Sequence, residues 1–244
     1  MTGAILNTIN SRLDAKTVAY ILEHSEAKVL IIDRQLHAIA EKALSSLKQK
    51  PIVIDVQDDF ADQSLLKKIG DREYEEFLNS GDENFKWKMP KDEWQAIALG
   101  YTSGTTGNPK GVVGHHRGAF LNSVSAVLGT ALSSKTIYLW TLPMFHCNGW
   151  CFTWAVTAVA GTHVCLRRVE PAPVFDAIVE HKVNVLCGAP VVLATLLNAV
   201  DEVRKKFDHK CQIFTGGAAP PSSVISGVEQ LGFTVTQLYG LTET

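Results

Sequence analysis

The 244-residue chain has no basic excess, no paired cysteine framework and no apolar run long enough to cross a bilayer. Its 23 lysines and arginines stand against 25 aspartates and glutamates, for a net charge of −2. That balance lacks the electrostatic footprint of a nucleic-acid or anionic-membrane binder, so a small molecule is the expected partner. The five cysteines (Cys147, Cys151, Cys165, Cys187 and Cys211) are an odd count, and no second pair answers Cys147 and Cys151. Three of them sit in apolar runs. They are expected to be reduced, buried and intracellular, although His146 beside the first two keeps a metal site conceivable. The longest apolar stretch, residues 150–160, contains two threonines. It falls well short of the roughly 20 residues that a membrane span needs. The opening MTGAILNTIN has neither the basic start nor the apolar core of a signal peptide, and the closing LTET is not the Ser-Lys-Leu peroxisomal signal. A soluble intracellular protein is expected, with cytoplasm and peroxisome left open. No short repeat or low-complexity tract is present, and neither is the GxxxxGK[ST] pattern of the commonest phosphate loop.

What the chain does have is Tyr101–Gly111, reading YTSGTTGNPKG. The hydroxyls of Thr102, Ser103, Thr105 and Thr106 alternate with Gly104 and Gly107, and the run closes on Pro109, Lys110 and Gly111. Glycines let backbone N–H groups approach an anion, hydroxyls add donors and lysine supplies a point charge, so phosphate is the natural ligand. Short apolar runs at 97–99 and 111–113 predict that this loop joins strand to strand. A solvent-exposed linker is the bland alternative.

Along the rest of the chain, helices and strands alternate. A helix capped by Asp14 is expected over 13–24, with Val18, Ile21 and Leu22 on its apolar side. A buried strand over 29–32, a helix over 36–47 and a strand over 52–56 follow, which predicts parallel strands with right-handed crossovers. Residues 57–91 are acidic and weakly periodic, as in a solvated face; a short helix is expected at 74–78 and a linker at 81–91. Two subregions, 1–80 and 92–244, are therefore expected. After the glycine loop, 116–128 reads as a helix with Ala119, Phe120, Val124, Val127 and Leu128 on its apolar side. His115 and His116 stand where strand gives way to helix, and a turn or capping role suits them. Further strands are expected at 137–142, 164–166, 183–186, 212–214 and 235–238. Helices are expected at 174–181, 191–200 and 222–231.

Three of these strands run into segments with chemistry. LPMFHCNGW places His146 just past the first, where a lone histidine in apolar surroundings is ordinarily structural. FTGGAAPP breaks the chain at a strand's carboxyl end, the place where open α/β sheets bind ligands, although an ordinary strand-to-helix turn reads the same. QLYGLTET offers an aromatic face at Tyr239, close approach at Gly240, a hydroxyl at Thr242 and a hard oxygen ligand at Glu243. A bare surface turn is the competing reading.

Residues 101–111 resemble the phosphate loop of the adenylate-forming superfamily, which includes acyl-CoA synthetases, coumarate–CoA ligases, luciferases and peptide-synthetase adenylation domains. The three downstream segments follow in that family's order. Stretches such as GAILNTINSRLDAKTVAYILEHSEAKVLIID and LCGAPVVL look most like plant acyl-activating enzymes for short, medium-chain or aromatic acids. The resemblance implies an α/β fold, part of a large N-terminal domain with layered mixed and parallel sheets flanked by helices. It implies ATP, Mg²⁺ and CoA as partners, with a carboxylic acid activated to an acyl adenylate and then passed to CoA.

By the same resemblance, Thr102, Ser103, Gly104, Thr105, Thr106, Gly107 and Lys110 meet the phosphates, and His146 positions the acid. Gly216, Gly217, Ala218, Gln237, Leu238, Tyr239, Gly240 and Thr242 meet the nucleotide. Glu243 coordinates the metal, with Thr102 as a second contact, and Thr242 and Lys110 join His146 and Glu243 as catalytic residues. Gly149, Trp150, Ala189 and Pro190 are candidates for the acyl pocket, or simply core. The family's ribose aspartate, hinge and small domain with its lysine have no counterpart here, so the chain is expected to be a piece that does not catalyse efficiently alone. A noncatalytic nucleotide-binding module and an adenylating enzyme with another acceptor are the alternatives, and the oligomeric state is left open.

Overall fold

A computed structural model describes residues 3–102 and 107–244. It divides into two units, Met1–His115 and His116–Thr244. The division falls at a strand-to-helix junction rather than within residues 81–91, because the strand that follows that segment pairs with the first strand of the chain.

In the first unit, β1 (Leu6–Asn7) is followed by α1 (Ala15–His24), β2 (Val29–Asp33) and α2 (His37–Ser46). Next come β3 (Ile52–Val56), β4 (Arg72–Glu73) and α3 (Tyr74–Asn79), and the unit closes with β5 (Ala96–Thr102) and β6 (Lys110–His115). Asp14 opens α1 by accepting a hydrogen bond from the Thr17 N–H at 2.9 Å, which satisfies one of the orphan donors of the first turn. The i, i+3, i+4 spacing of Val18, Ile21 and Leu22 puts all three on the buried side of α1; Val18 and Leu22 pack with Ala43, Leu44 and Leu47 of the following helix and its exit. Strands β2, β3 and β4 form a parallel sheet in that order.

The expected burial of β2 is corrected by this sheet. Leu30 and Ile32 join the core, but Val29 and Ile31 are 47% and 53% exposed. Alternation is the reason: with side chains pointing to opposite faces, only one face of this sheet meets α1 and α2. A second sheet has the order β1-β5-β6, with β1 parallel and β6 antiparallel to β5. The glycine loop thus joins strand to strand, as its flanks predict.

The second unit contains α4 (His116–Gly129), β7 (Ile137–Trp140), the one-turn α5 (Cys147–Trp150), α6 (Phe152–Ala158) and β8 (Thr162–Cys165). It continues through α7 (Pro171–His181), β9 (Val185–Gly188), α8 (Pro190–Leu197), β10 (Cys211–Thr215), α9 (Ser222–Gln230) and β11 (Phe233–Gln237). Its five strands are parallel in the order β11-β10-β9-β7-β8. Successive residues feed two separate cores. Leu139, Leu186 and Ile213 pack with Phe175, Ile178 and Leu193 on one face, while Tyr138, Trp140, Cys187 and Phe214 pack with Phe152 and Val156 on the other. A parallel sheet covered on both faces needs apolar residues in both registers, which is why these strands read as continuous apolar runs. Pro171 and Pro190 occupy first-turn positions, where the missing N–H costs nothing.

Helix α4 departs from expectation, with Phe120 and Leu128 67% and 77% exposed and only Ser123 among its residues buried. Its apolar residues are spread around the helix rather than gathered into one stripe, so packing through Ala126 and Val127 leaves the others outside. Among the described residues, no helix is long and apolar enough to cross a membrane.

Candidate functional site

The parallel strands of the second unit deliver the motif segments to one edge of the sheet. Thr141–His146 leaves β7, Ala189 and Pro190 leave β9, Gly216–Ala218 leaves β10 and Leu238–Glu243 leaves β11, each at the strand's carboxyl end. The connection from β7 runs to β8 on one side, and that from β9 runs to β10 on the other. The crevice beyond β7 and β9 is therefore the switch point of the sheet, where open α/β folds bind ligands. The Thr141 hydroxyl donates to the Cys187 carbonyl at 2.7 Å and ties the two strand ends together.

Beside them, β10 and β11 keep their ladder for one more step, with the Leu238 N–H donating to the Thr215 carbonyl at 2.7 Å. Gly216 is closed in: a Cβ there would lie 3.1 Å from the Leu238 carbonyl oxygen and 3.1 Å from the Trp150 ring. Gly217 is open, with φ +89° and nothing within 4 Å of a Cβ. The left-handed backbone at Gly217 is a conformation glycine adopts without strain, and its surroundings leave room for a ligand to approach the chain. Tyr239 is 89% exposed, so a whole ring face is available for stacking. Gln237 ends β11 with its side chain exposed, Gly240 follows Tyr239, and Glu243 is exposed. Thr242 sits inward of these, its hydroxyl 3.4 Å from the Cys147 sulfur.

The segment after His146 holds a feature that the sequence does not announce. Cys147, Asn148, Gly149, Trp150 and Cys151 all have positive φ, between 48° and 68°. Together they form one turn of left-handed helix, closed by hydrogen bonds from Trp150 N to His146 O (3.1 Å) and from Cys151 N to Cys147 O (3.2 Å). Right-handed α6 resumes at Phe152, its first carbonyl bonds reaching back to Cys151. Asn148 tolerates this geometry through its short polar side chain, but it costs Cys147, Trp150 and Cys151 roughly 1–2 kcal/mol each. Packing offsets the cost. The Trp150 ring covers Gly216 and joins the Tyr138, Trp140 and Phe214 core, and Gly149 is seated against Trp140, where a Cβ would fall 2.4 Å from the indole ring. Backbone strain of this kind concentrates where function has selected a particular geometry. Of the expected acyl-pocket residues, Gly149 is buried, while Trp150, Ala189 and Pro190 are half-buried. His146 itself is exposed at the entrance to the turn.

In the first unit, the β5–β6 hairpin sets Tyr101 opposite Gly111 and Thr102 opposite Lys110, at the mouth of the glycine loop. The Tyr101 hydroxyl lies 2.7 Å from Nδ1 of His24, in the last turn of α1, and Tyr20 stacks on the same imidazole. Burial, with a smaller contribution from Tyr20, raises the Tyr101 phenol above its usual pKa, so it remains a neutral hydroxyl. Gly111 makes room for this arrangement, since a Cβ would stand 3.0 Å from Leu99 and 3.4 Å from the Tyr101 ring. Gly107 has open space about it and Lys110 is exposed. Ser103, Gly104, Thr105 and Thr106 lie outside the described residues. At the other end of β6, His115 packs against Trp94 with ring centroids 4.6 Å apart, and His116 is the first residue of α4.

The five thiols are free. Burial lifts Cys187 and Cys211 to about 12. Burial and the neighbouring Cys147 lift Cys151 to about 11. These groups are held protonated, unlike catalytic thiols. Cys165 differs from the expectation of burial and is exposed, because β8 is the edge strand. Among the described residues, no group of three or more His, Cys, Asp or Glu side chains could hold a metal ion on its own.

The profile of the family described as "AMP-binding enzyme" matches residues 1–244. The acetate–CoA ligase CCL3 of Humulus lupulus is 47% identical over 255 residues, covering 100% of this chain and 45% of that protein. The peroxisomal acetate/butyrate–CoA ligase AAE7 of Arabidopsis thaliana is 46% identical, with the same coverage. The peroxisomal trans-cinnamate:CoA ligase of Petunia hybrida is 40% identical and is likewise covered over 45% of its length. The chain thus spans less than half the length of these relatives. Among solved structures, an anthranilate CoA ligase in complex with anthranoyl-AMP superposes with a TM-score of 0.81 at 20% identity, over 99% of this chain and 46% of that one. The N-terminal domain of FACL13 from Mycobacterium tuberculosis superposes at 0.77 and 22% identity, over 99% of this chain and 57% of that one. At such identities the structural likeness concerns the fold: the layered α/β architecture of N-terminal domains of adenylate-forming enzymes.

Proposed function

Because the chain belongs to the AMP-binding enzyme family, we propose that it contributes the nucleotide- and acid-binding part of an ATP-dependent acid–CoA ligase. The observation that carries this reading is the delivery of three motif segments, together with Ala189 and Pro190, to one edge of a parallel sheet, around the switch point between β7 and β9. In this reading His146 orients the acid carboxylate, and Gly149, Trp150, Ala189 and Pro190 border its carbon skeleton. Gly216, Gly217 and Ala218, with Gln237, Leu238, Tyr239 and Gly240, receive the adenosine. The open backbone at Gly217 and the exposed Tyr239 ring fit that group. Thr102, Ser103, Gly104, Thr105, Thr106, Gly107 and Lys110 hold the β and γ phosphates, and Thr242 donates toward phosphate.

A lone exposed carboxylate such as Glu243 suits Mg²⁺, which would keep most of its ligands as water and phosphate and would neutralise phosphate charge; Thr102 is the second contact that the family resemblance implies. A carboxylate oxygen of the acid attacks the α-phosphorus of ATP, and the bond to pyrophosphate breaks. The thiolate of CoA then attacks the acyl carbon and releases AMP. Rate acceleration comes from alignment and fixed dipoles rather than from a covalent enzyme intermediate, which agrees with thiols held protonated. The relatives' names point to short aliphatic and aromatic acids as the substrate class.

Pyrophosphate exchange by the full-length reading frame, assayed with acetate, butyrate and cinnamate, tests the proposal. Acid-dependent exchange is expected, falling by about 100-fold or more in Glu243→Gln. No exchange with any of these acids would overturn it.

A further inference from the structure

We propose that His163, on the edge strand β8, is a positioning residue that seats the left-handed turn after His146 through both Trp140 and Thr157. The inference rests on the reading of His146 and its turn as the acid site. Its basis is a chain of hydrogen bonds with only one consistent assignment of hydrogens. An indole N–H can only donate, and Nε1 of Trp140 lies 3.0 Å from Nδ1 of His163, so Nδ1 must be the bare, accepting nitrogen. The hydrogen of the neutral ring then sits on Nε2, 3.1 Å from the Thr157 hydroxyl. That hydroxyl spends its own hydrogen on the Thr153 carbonyl at 2.7 Å and so accepts from the imidazole. The Thr153 hydroxyl in turn donates to the Asn148 carbonyl at 3.1 Å.

Two arms therefore run from His163 to the middle of the turn. One passes along α6 to the carbonyl of Asn148. The other passes through the indole of Trp140, against which Gly149 is seated with no space for a Cβ. The indole and imidazole planes are nearly parallel, 9° apart with centroids at 5.9 Å, so the imidazole also sets the tilt of the surface under Gly149. Burial favours the neutral imidazole that this pattern requires. Asn148 and Gly149 both have left-handed backbone, and a turn held against its own strain depends on whatever fixes its seat. Among the described residues, the hydrogen bonds of His163 go to Trp140 and Thr157, so it acts on the turn through neighbours.

The test uses the full-length reading frame, labelled with ¹⁵N, with His163→Leu and His163→Gln as the paired variants. A glutamine can accept from the indole with its carbonyl and donate to Thr157 with its amide, whereas leucine does neither. In His163→Leu the Trp140 indole resonance is expected to move upfield and the Asn148 and Gly149 amides to shift. Affinity for an acyl-sulfamoyl adenosine, a stable mimic of the acyl adenylate, should fall about tenfold while affinity for ATP holds. His163→Gln should restore both readouts. Unmoved Asn148 and Gly149 amides, equal loss for both ligands, or no rescue by glutamine would overturn the proposal. Thr157→Val, which removes one arm at constant shape, should shift Asn148 more than the Trp140 indole. It serves if the leucine variant does not fold, and the absence of that shift would count against the proposal. Failure of the wild-type chain to bind the acyl-sulfamoyl adenosine would instead strike the acid-activation reading, leaving the resonances to judge His163.

Discussion

The glycine loop in the first unit and the turn after His146 in the second both reverse the chain within a motif, yet they are held in opposite ways. At the mouth of the loop the chain is extended, and the β5–β6 ladder aligns Tyr101 with Gly111 and Thr102 with Lys110. One side-chain hydrogen bond, from Tyr101 to His24, adds a tether. The turn has five successive residues in left-handed geometry and depends on large buried rings to stay there. The mouth of the loop is held by ordinary strand pairing and needs little further support. The turn has one glycine and needs a great deal. A substitution in the loop should therefore act mainly on ligand binding, and one in the turn on both folding and binding.

The sharpest way to break this contrast is Gly149→Ala. The new Cβ would collide with the Trp140 ring at 2.4 Å in a residue with φ +68°, and a loss of roughly 2–4 kcal/mol in urea unfolding is expected. A loss below about 1 kcal/mol would mean that the turn is not seated as described. Gly111→Ala probes the loop side and should cost less, about 1 kcal/mol, because the nearest atom at 3.0 Å is the mobile end of Leu99. If it unfolds the chain as severely as Gly149→Ala, the contrast fails.

Tyr101→Phe removes only the tether to His24. An exposed hydrogen bond of this kind contributes at most about 1 kcal/mol, so stability should barely change, while amides beside the loop mouth shift in ¹H–¹⁵N spectra. The smallest expected effect is in pH. Burial lowers the pKa of His163 from the usual 6.5, so the unfolded chain binds the proton more readily than the folded one. Its contribution to stability is present above about 6.5 and is lost as pH falls through the lower folded value. Unfolding midpoints measured from pH 7.5 to 5 should decline more steeply in wild type than in His163→Gln.

Residues whose spacing carries the signal were legible in the sequence. The strand at 52–56 is found as read, because five apolar-rich residues between breakers leave little choice. The other alternating helices and strands of the second unit followed in the same way, although the helix Phe152–Ala158 was read only as an apolar run, and the placement of motif segments at strand ends followed too. What stayed hidden depends on partners far along the chain. CNGWC carries the Asn-Gly pair, which tolerates positive φ, but nothing that extends left-handed geometry to Cys147, Trp150 and Cys151, where the strain is tolerated only because Trp140 and Gly216 receive the turn. His163 lies just outside the strand expected at 164–166, and only the observed strand, Thr162–Cys165, and its pairing with β7 bring it to the Trp140 indole. The exposed side of β2 was invisible for the converse reason: its residues are apolar whether or not anything covers them.

The two-residue strand β1 has a bearing on the order of events during folding. Leu6 pairs with Ala98 and Asn7 with Leu99, so the strand that leads into the glycine loop is joined to the very beginning of the unit. Helices α1 and α2 and the β2-β3-β4 sheet all lie within the segment that this pairing closes. The β5–β6 hairpin is local and can form early, whereas closing so long a segment carries an entropic cost that is most readily met once the enclosed layer has collapsed. Docking of β1 is thus a late step, and because successive amides of a central strand point to opposite edges, hydrogen-exchange protection at the one of Ala98 and Leu99 that faces β1 would be acquired after that at Ile54, while its neighbour, facing β6, would be protected with the hairpin.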